Sequence, residues 1–222
     1  MQTTYDKVVF EYRSLKYFIG SIMAKRIFDV IFSIIIITLT SPILILVAIG
    51  IMLTSRGPVI YKGNRTGYKG KPFNIYKFRT MVVNAEKIGG GTTGLNDPRV
   101  TAVGKYLRKL KFDELPQFFN VIKGEMSVVG PRPELPQYTD LFEGEEKIIL
   151  DVKPGITDYS SIEFSELHKV VGAHDVDRMF EENVLKKKNA LRVKYVREQG
   201  FFTDLKIIWM TIAKLMKMLF SR

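Results

Sequence analysis

Cysteine is absent from this 222-residue chain. Its absence excludes disulfide frameworks, thiolate catalysis and every cysteine-based zinc or iron–sulfur site. Histidine is scarce. His168 and His174 are the only two, so a Ser-His-Asp arrangement would have to be built around that one stretch, and both read as surface or hydrogen-bonding residues rather than ligands. Acidic residues are in deficit: 34 lysines and arginines face 23 acids, a formal net charge of +11. That excess calls for a partner carrying negative charge, whether phosphate, nucleic acid or an anionic membrane face. The chemistry left open rests on carboxylates, Arg/Lys and a hard metal ion such as magnesium. The length suits one domain of ordinary size, or one modest domain with a membrane-associated appendage.

Charge is also missing locally, because Val30 to Leu53 (VIFSIIIITLTSPILILVAIGIML) is 24 residues without an Asp, Glu, Lys or Arg. As a straight helix it would reach roughly 36 Å, enough to cross a bilayer core. The run is too long and begins too late for a secretory signal, and Thr54-Ser55-Arg56-Gly57-Pro58 follows it instead of a small-residue cleavage site. Ser41-Pro42 sits near its centre, where proline removes a backbone donor and crowds the preceding turn. Lys25 and Arg26 precede the run; Arg56, Lys62 and Arg65 follow it. The positive-inside rule holds both flanks on the cytoplasmic side, which one straight pass cannot satisfy. The sequence therefore predicts a re-entrant helix-break-helix hairpin over residues 25–55, broken at Ser41-Pro42, with the Ser41 hydroxyl on a freed carbonyl. A Pro-kinked single-pass helix is the competing reading.

The positive charge is just as localised. Arg56, Lys62, Arg65, Lys69, Lys71, Lys77 and Arg79 fall between residues 56 and 81, with no acid among them. Glycines and prolines punctuate the stretch, leaving Pro58–Tyr61 and Phe73–Tyr76 as strand candidates. Such a loop beside a membrane insertion suits lipid phosphates or a nucleotide, though a basic rim holding the protein to anionic lipid would look the same. Beyond it, Gly89–Gly94 reads as turns, Thr101–Leu110 as a short helix, and Asp113–Lys123 as a second helix stopped at Gly124. Lys186–Arg197 reads as a helix with a solvated basic face. Phe201–Phe220 is apolar but interrupted by Asp204, Lys206, Lys214 and Lys217, which suits a helix in the membrane interface better than a spanning one; packing on the protein's own hairpin competes with that. The fold class expected is mixed α and β, helix-rich with a small sheet. Its parts are an extension over residues 1–24, the hairpin over 25–55, a cytoplasmic catalytic domain over 56–200 and an interfacial amphipathic helix over 201–222.

Asp113 and Glu114 are adjacent carboxylates in KFDELPQFFN. Asp113 is placed as an N-cap with Pro116 in the first turn, where the helix dipole favours an ionised carboxylate. Such a group can attack phosphorus when cations neutralise the phosphate it approaches; equally, N-cap aspartates are commonly structural. Arg108 lies five residues upstream, and Arg132 sits in Gly130-Pro131-Arg132-Pro133, a loop stiff enough to aim a guanidinium. Carboxylates, arginines and a membrane anchor together suggest phosphoryl transfer on a membrane lipid.

Ordered strings then become recognisable: Lys25-Arg26-Ile27-Phe28-Asp29, Ser41-Pro42, Tyr76-Lys77-Phe78-Arg79-Thr80-Met81, Asp97-Pro98-Arg99-Val100-Thr101, Asp113-Glu114-Leu115-Pro116-Gln117, Gly130-Pro131-Arg132-Pro133-Glu134 and Pro154-Gly155-Ile156-Thr157. In these the chain resembles the bacterial sugar transferases, the monotopic phosphoglycosyl transferases that start glycan assembly on a polyprenol phosphate. Only 24 residues precede Lys25, so the minimal form of the family is expected. The resemblance implies a two-step reaction with Mg²⁺. Asp113 would attack the β-phosphate of a UDP-sugar and expel UMP, and polyprenol (undecaprenyl) phosphate would then take the sugar phosphate from Asp113. Glu114 would act through the metal or deprotonate the lipid phosphate, with Asp113 and Glu114 the candidate Mg²⁺ ligands. Arg79, Arg108 and Arg132 would hold phosphates, with Lys77 either joining them or structural. The resemblance also implies a bacterial cytoplasmic (inner) membrane location, a cytoplasmic catalytic face, contact with anionic lipid, and room for a homodimer. After Thr157 the chain departs from the commoner Gly-Trp-Ala-Gln pattern with Asp158-Tyr159-Ser160-Ser161, in a loop expected near sugar or base, so the sugar is not named. Two other classes compete. A nucleic-acid-binding protein would use the charge alone, but no helix-turn-helix, zinc-finger or RNA-recognition signature accompanies it; a non-catalytic scaffold would have no need of the Asp113-Glu114 pair.

Overall fold

The apolar run lies within one helix, α1 (Gln2–Thr54), in a computed structural model that describes residues 2–94, 96–172 and 174–220. Met1 of the expected N-terminal extension and residues 221–222 of the expected C-terminal helix lie outside the described residues. The stretch Ile22–Thr54 is long and apolar enough to cross a membrane, with a mean hydropathy of 2.8. The expected break at Ser41-Pro42 does not interrupt it, since the helix continues through Pro42 with no turn residues. Hydroxyl chemistry supplies the reason. Pro42 cannot donate to the carbonyl of Thr38, and Ser41 Oγ donates to that oxygen at 2.8 Å. The carbonyl that proline orphans is satisfied within the helix, as expected of Ser41, so the backbone stays helical.

Both flanks of α1 dock on the rest of the molecule. On the N-terminal side Arg26 donates from Nη1 to Val121 O (2.5 Å) and from Nη2 to Ile122 O (2.7 Å), while Asp29 is buried and accepts from Val128 N at 3.0 Å. Lys25 pairs with Asp204. On the C-terminal side Ile51, 1% exposed, packs with Phe78 and Leu107. The chain then turns at Gly57, whose φ of +115° suits glycine and where a Cβ would sit 2.2 Å from Arg79 Nη1.

Strands β1 (Ile60–Thr66) and β2 (Pro72–Phe78) overlap the two strand candidates, Pro58–Tyr61 and Phe73–Tyr76, and pair as an antiparallel hairpin with Tyr61 opposite Lys77 and Lys62 opposite Tyr76. Short α2 (Ala85–Ile88) and α3 (Ala102–Lys109) follow, the second capped by Thr101 accepting from Gly104 N. Between them the glycine-rich turns are held by Asp177, which accepts from Gly91 N and Thr92 N. Helix α4 (Gln117–Lys123) stops at Gly124, φ +84°, and leads to β3 (Ser127–Val129). After α5 (Pro136–Thr139) and a 3₁₀ segment (Gly144–Asp151), β4 (Gly155–Thr157) pairs parallel with β3. Helices α6 (Tyr159–Glu163), α7 (Leu167–Val171) and α8 (Val176–Phe180) precede a π-helical turn (Glu181–Leu185) that continues into α9 (Lys186–Glu198). Helix α10 (Phe201–Phe220) ends the described chain.

The fold is thus helix-rich and mixed, with two two-stranded sheets. One core joins Ile75, Val121, Met126, Val128, Val129, Tyr195 and Ile207 across β2, α4, β3, α9 and α10. A second gathers Tyr138, Phe142, Ile149, Phe180 and Val184. Helix α9 has the solvated basic face expected of it in Lys186, Lys187, Lys194 and Arg197, but it also buries Lys188, Asn189 and Arg192, because Glu134 neutralises both cations: it accepts from Lys188 at 2.8 Å and from Arg192 at 2.5 Å. Helix α10 buries Asp204 and Ile207 while leaving Phe202, Leu205, Trp209, Ile212, Met216 and Leu219 exposed.

Candidate active site

Asp113 and Glu114 lie in a 3₁₀ turn (Phe112–Glu114) between α3 and α4. The expectation that Asp113 caps α4 is corrected: the helix begins at Gln117, preceded by Pro116 with no side-chain cap. Proline again supplies the reason. Phe112 O would accept from residue 116 in an α-helix, but Pro116 has no N–H, so Leu115 N takes that oxygen at 3.3 Å and the turn tightens. Lys111, at φ +58°, aims the turn inward.

The two carboxylates meet opposite surroundings. Glu114 Oε1 accepts from Lys77 Nζ at 3.3 Å and from Arg132 Nη2. Burial alone would push its pKa up, but Arg132, Lys77 and Lys111 outweigh it and hold the group well below the usual carboxylate range. Asp113 is 6% exposed, and its Oδ1 has no hydrogen-bond partner among the described residues. Burial first, and then the Glu114 charge, raise its pKa against the pull of Lys77, Arg108 and Lys111. Neighbouring carboxylates driven apart in this way are a mark of functional sites.

Arg132 is aimed by the loop that carries it. Gly130 N donates to Thr157 O and Gly155 N to Pro131 O, each at 3.0 Å, so the Gly-Pro-Arg-Pro and Pro-Gly-Ile-Thr strings lie against one another. Arg132 Nη1 donates to Ile156 O at 3.1 Å, and Nη2 reaches Glu114. The divergent loop after Thr157 lies behind this arginine, where the fully buried Asp158 accepts from Arg132 N at 3.4 Å. Arg108 is steadied by Thr80, to whose Oγ1 its Nε donates at 2.8 Å.

Asp113, Glu114, Lys77, Arg108 and Arg132 are therefore brought together, while Arg79 is bound to Ser55. Arg79, expected to hold a phosphate, donates from Nη2 to Ser55 O (2.8 Å) and Ser55 Oγ (2.7 Å), fastening the end of α1. Lys77 sits inside the β1–β2 ladder opposite Tyr61, on the face that also carries Arg65, whereas Arg79 lies beyond the last pair of β2 and turns to Ser55. Sequence reasoning missed three residues. Arg65 feels Glu134 and Arg132 from the same strand face, Lys111 acts on both carboxylates, and Gln117 is fully buried with both amide atoms unpartnered. Only Arg65 had a signal, its even spacing from Tyr61 along β1.

No three His, Cys, Asp or Glu side chains cluster as a metal site among the described residues. The pair still fits the magnesium that the resemblance implies. Magnesium takes one or two carboxylates and keeps its other positions for water and phosphate oxygens, and Asp113 Oδ1 is a buried acceptor without a donor.

Residues 20–218 match the family described as bacterial sugar transferase. The chain belongs to that family. Among relatives with curated names, it is 42% identical over 201 residues to the UDP-glucose:undecaprenyl-phosphate glucose-1-phosphate transferase of Klebsiella pneumoniae, covering 86% of this chain and 39% of that one. It is 38% identical over 199 residues to the undecaprenyl-phosphate glucose phosphotransferase of Komagataeibacter xylinus, covering 86% and 36%. The match to a putative undecaprenyl-phosphate N-acetylgalactosaminyl 1-phosphate transferase of Bacillus subtilis is 46% over 121 residues, covering 54% and 68%. The chain thus spans about two fifths of the first two relatives. The first two names give glucose and the third N-acetylgalactosamine, so membership of the bacterial sugar transferases leaves the sugar open.

Proposed function

We propose that this sugar transferase moves a sugar 1-phosphate from a UDP-sugar to polyprenyl phosphate through a covalent intermediate on Asp113. The observation that carries the proposal is the contrast between the carboxylates: Asp113 keeps a free oxygen within reach of three cations, while Glu114 is spoken for by Lys77 and Arg132. In the first half-reaction a carboxylate oxygen of Asp113 attacks the β-phosphorus, the bond to the bridging oxygen breaks, and UMP leaves with the electron pair. In the second, an oxygen of the lipid phosphate attacks the same phosphorus and Asp113 is released as carboxylate. Arg108, Arg132, Lys77 and Lys111 neutralise the diphosphate as it approaches. Glu114, held ionised, is a poor proton acceptor; its work is to fix Arg132 and Lys77. Asp113, and Glu114 beside it, would hold magnesium when it is bound, and the ion would further neutralise the diphosphate.

Both flanks of α1 dock on the same domain while the stretch around Leu39 is exposed and apolar. This supports a re-entrant α1, bent at Pro42 and dipping into the cytoplasmic leaflet of the bacterial inner membrane, with the catalytic domain on the cytoplasmic face. The exposed apolar stripe of α10 then lies in the interface. UMP release from a panel of UDP-sugars, with polyprenyl phosphate and Mg²⁺, tests the activity and identifies the sugar. Asp113→Asn is expected to abolish release, and the wild type to carry a sugar-phosphate adduct on Asp113. An active Asn variant, or an adduct elsewhere, refutes the mechanism.

A further inference from the structure

A groove on the opposite face of the β1–β2 hairpin from Glu114 has no part in the chemistry described so far. Ile60, Lys62, Tyr76, Phe119, Ile122 and Lys123 line it, enclosing about 430 Å³. Asn120 builds it by tying α4 to the free edge of β2: its Oδ1 accepts from Tyr76 N at 2.9 Å and its Nδ2 donates to Asn74 O at 2.8 Å. Tyr76 stands between two lysines. Lys123 Nζ lies 5.0 Å from the ring centre and donates to the phenol oxygen at 2.9 Å, and Lys62 Nζ lies 6.0 Å from the ring centre. Glu125 holds Lys123 in place at 2.8 Å, whereas no carboxylate pairs with Lys62 among the described residues. The floor is apolar, and Phe119 is 45% exposed.

Position decides what such a groove meets. On one side Ile122 is the residue whose carbonyl Arg26 grips; on the other, Ile60 packs against the cluster of Ile51, Phe78 and Leu107, as Val47 and Ala48 of α1 also do. The groove therefore opens between the two docked flanks of α1, on the side of the domain that a re-entrant helix would turn toward the bilayer. A groove with an apolar floor and cations at one end fits an anionic headgroup followed by a hydrocarbon chain. It also shares its elements with the carboxylate site: Tyr76 precedes Lys77 on β2, and α4 follows directly on Asp113-Glu114.

Resting on the transferase reading above, we propose that this groove is the entry site for the acceptor lipid, with Lys62 and Lys123 taking the phosphate of a polyprenyl phosphate and Ile60, Phe119 and Ile122 taking its first isoprene units. The test uses the full chain in nanodiscs. Replacing both lysines (Lys62→Ala with Lys123→Ala) is expected to raise the KM for polyprenyl phosphate by about tenfold or more, while the KM for UDP-sugar and the UMP released without acceptor stay as in the wild type. Phe119→Ala is expected to weaken a long-chain acceptor more than a two-isoprene phosphate. An acceptor KM that does not move, or equal rises in both KM values, overturns the proposal. A readout without turnover separates it from the transferase reading: wild type should be enriched on neutral vesicles doped with polyprenyl phosphate over vesicles with equal phosphatidylglycerol, and the double variant should lose that difference. Equal loss on both vesicle types would mean a general anionic-lipid contact and would also overturn it.

Discussion

Single residues decide the chemistry here through the company they keep. Asp113 and Glu114 are neighbours in sequence, yet Glu114 is clasped by Lys77 and Arg132 and stays ionised, while burial and the Glu114 charge push Asp113 the other way. A raised Asp113 pKa places the acid limb of kcat/KM above the ordinary aspartate value of about 3.9. Glu114→Gln removes the repelling charge and frees Lys77 and Arg132 to act on Asp113, so both effects lower its pKa. The acid limb of the residual activity is expected to move to lower pH, measured by pH profiles of wild type and variant; movement upward would mean that another group sets that limb. The carboxylate pair was legible in sequence because such pairs beside arginines suit phosphoryl transfer. The role of Arg79 was not, since its partner Ser55 lies 24 residues away.

At the scale of elements, proline shapes two helices in different ways. In α1 a hydroxyl one residue before Pro42 satisfies the lost hydrogen bond and the helix continues; at Pro116 no such group intervenes, and the chain tightens into the turn that presents Asp113. Helix α9 makes a further point. Its basic residues read as a solvated face because charge is ordinarily left in water, but Glu134, on the loop that aims Arg132, draws Lys188 and Arg192 inside. Lys188 is pushed down to about 8, by burial first and then against the pull of Glu134. Glu134→Gln would leave two buried cations without a counter-charge, and a loss of about 3–5 kcal/mol is expected in denaturant unfolding at neutral pH. The Glu134 pKa is held below its ordinary value, since Lys188 and Arg192 outweigh burial. Its contribution is therefore present above the unfolded carboxylate pKa and fades as pH falls through the folded one, so the gap between wild type and variant should narrow in acid.

For the whole molecule, the question is how the long apolar helix is held. Lys25, read as a topology-setting charge, is in part a structural one: it pairs with Asp204 at the start of α10 and donates to Val129 O at 3.1 Å. Arg26 and Asp29 likewise pin α1 to α4 and β3. Because the N-terminal flank is stapled to the same domain as Ile51 and Ser55, the two sides of the apolar run should share one face of the bilayer. Cysteines placed at residues 20 and 60 of this cysteine-free chain should label from the same side in sealed inverted vesicles. Labelling from opposite sides would establish a spanning helix instead.

Hydropathy, charge spacing and short motifs were enough by themselves to determine an apolar helix long enough to cross a membrane, a basic strand-and-turn stretch after it, a carboxylate pair among arginines and membership of a transferase family. Each of these depends on residues close together in the chain. Tertiary structure alone decided that Arg79 fastens the end of α1, that Lys188 and Arg192 are buried, that the carboxylates of Asp113 and Glu114 are pushed in opposite directions, and that a lysine-flanked groove opens between the flanks of α1. Those outcomes depend on desolvation and on charges brought within a few ångströms by folding, and neither can be read from the order of residues along the chain.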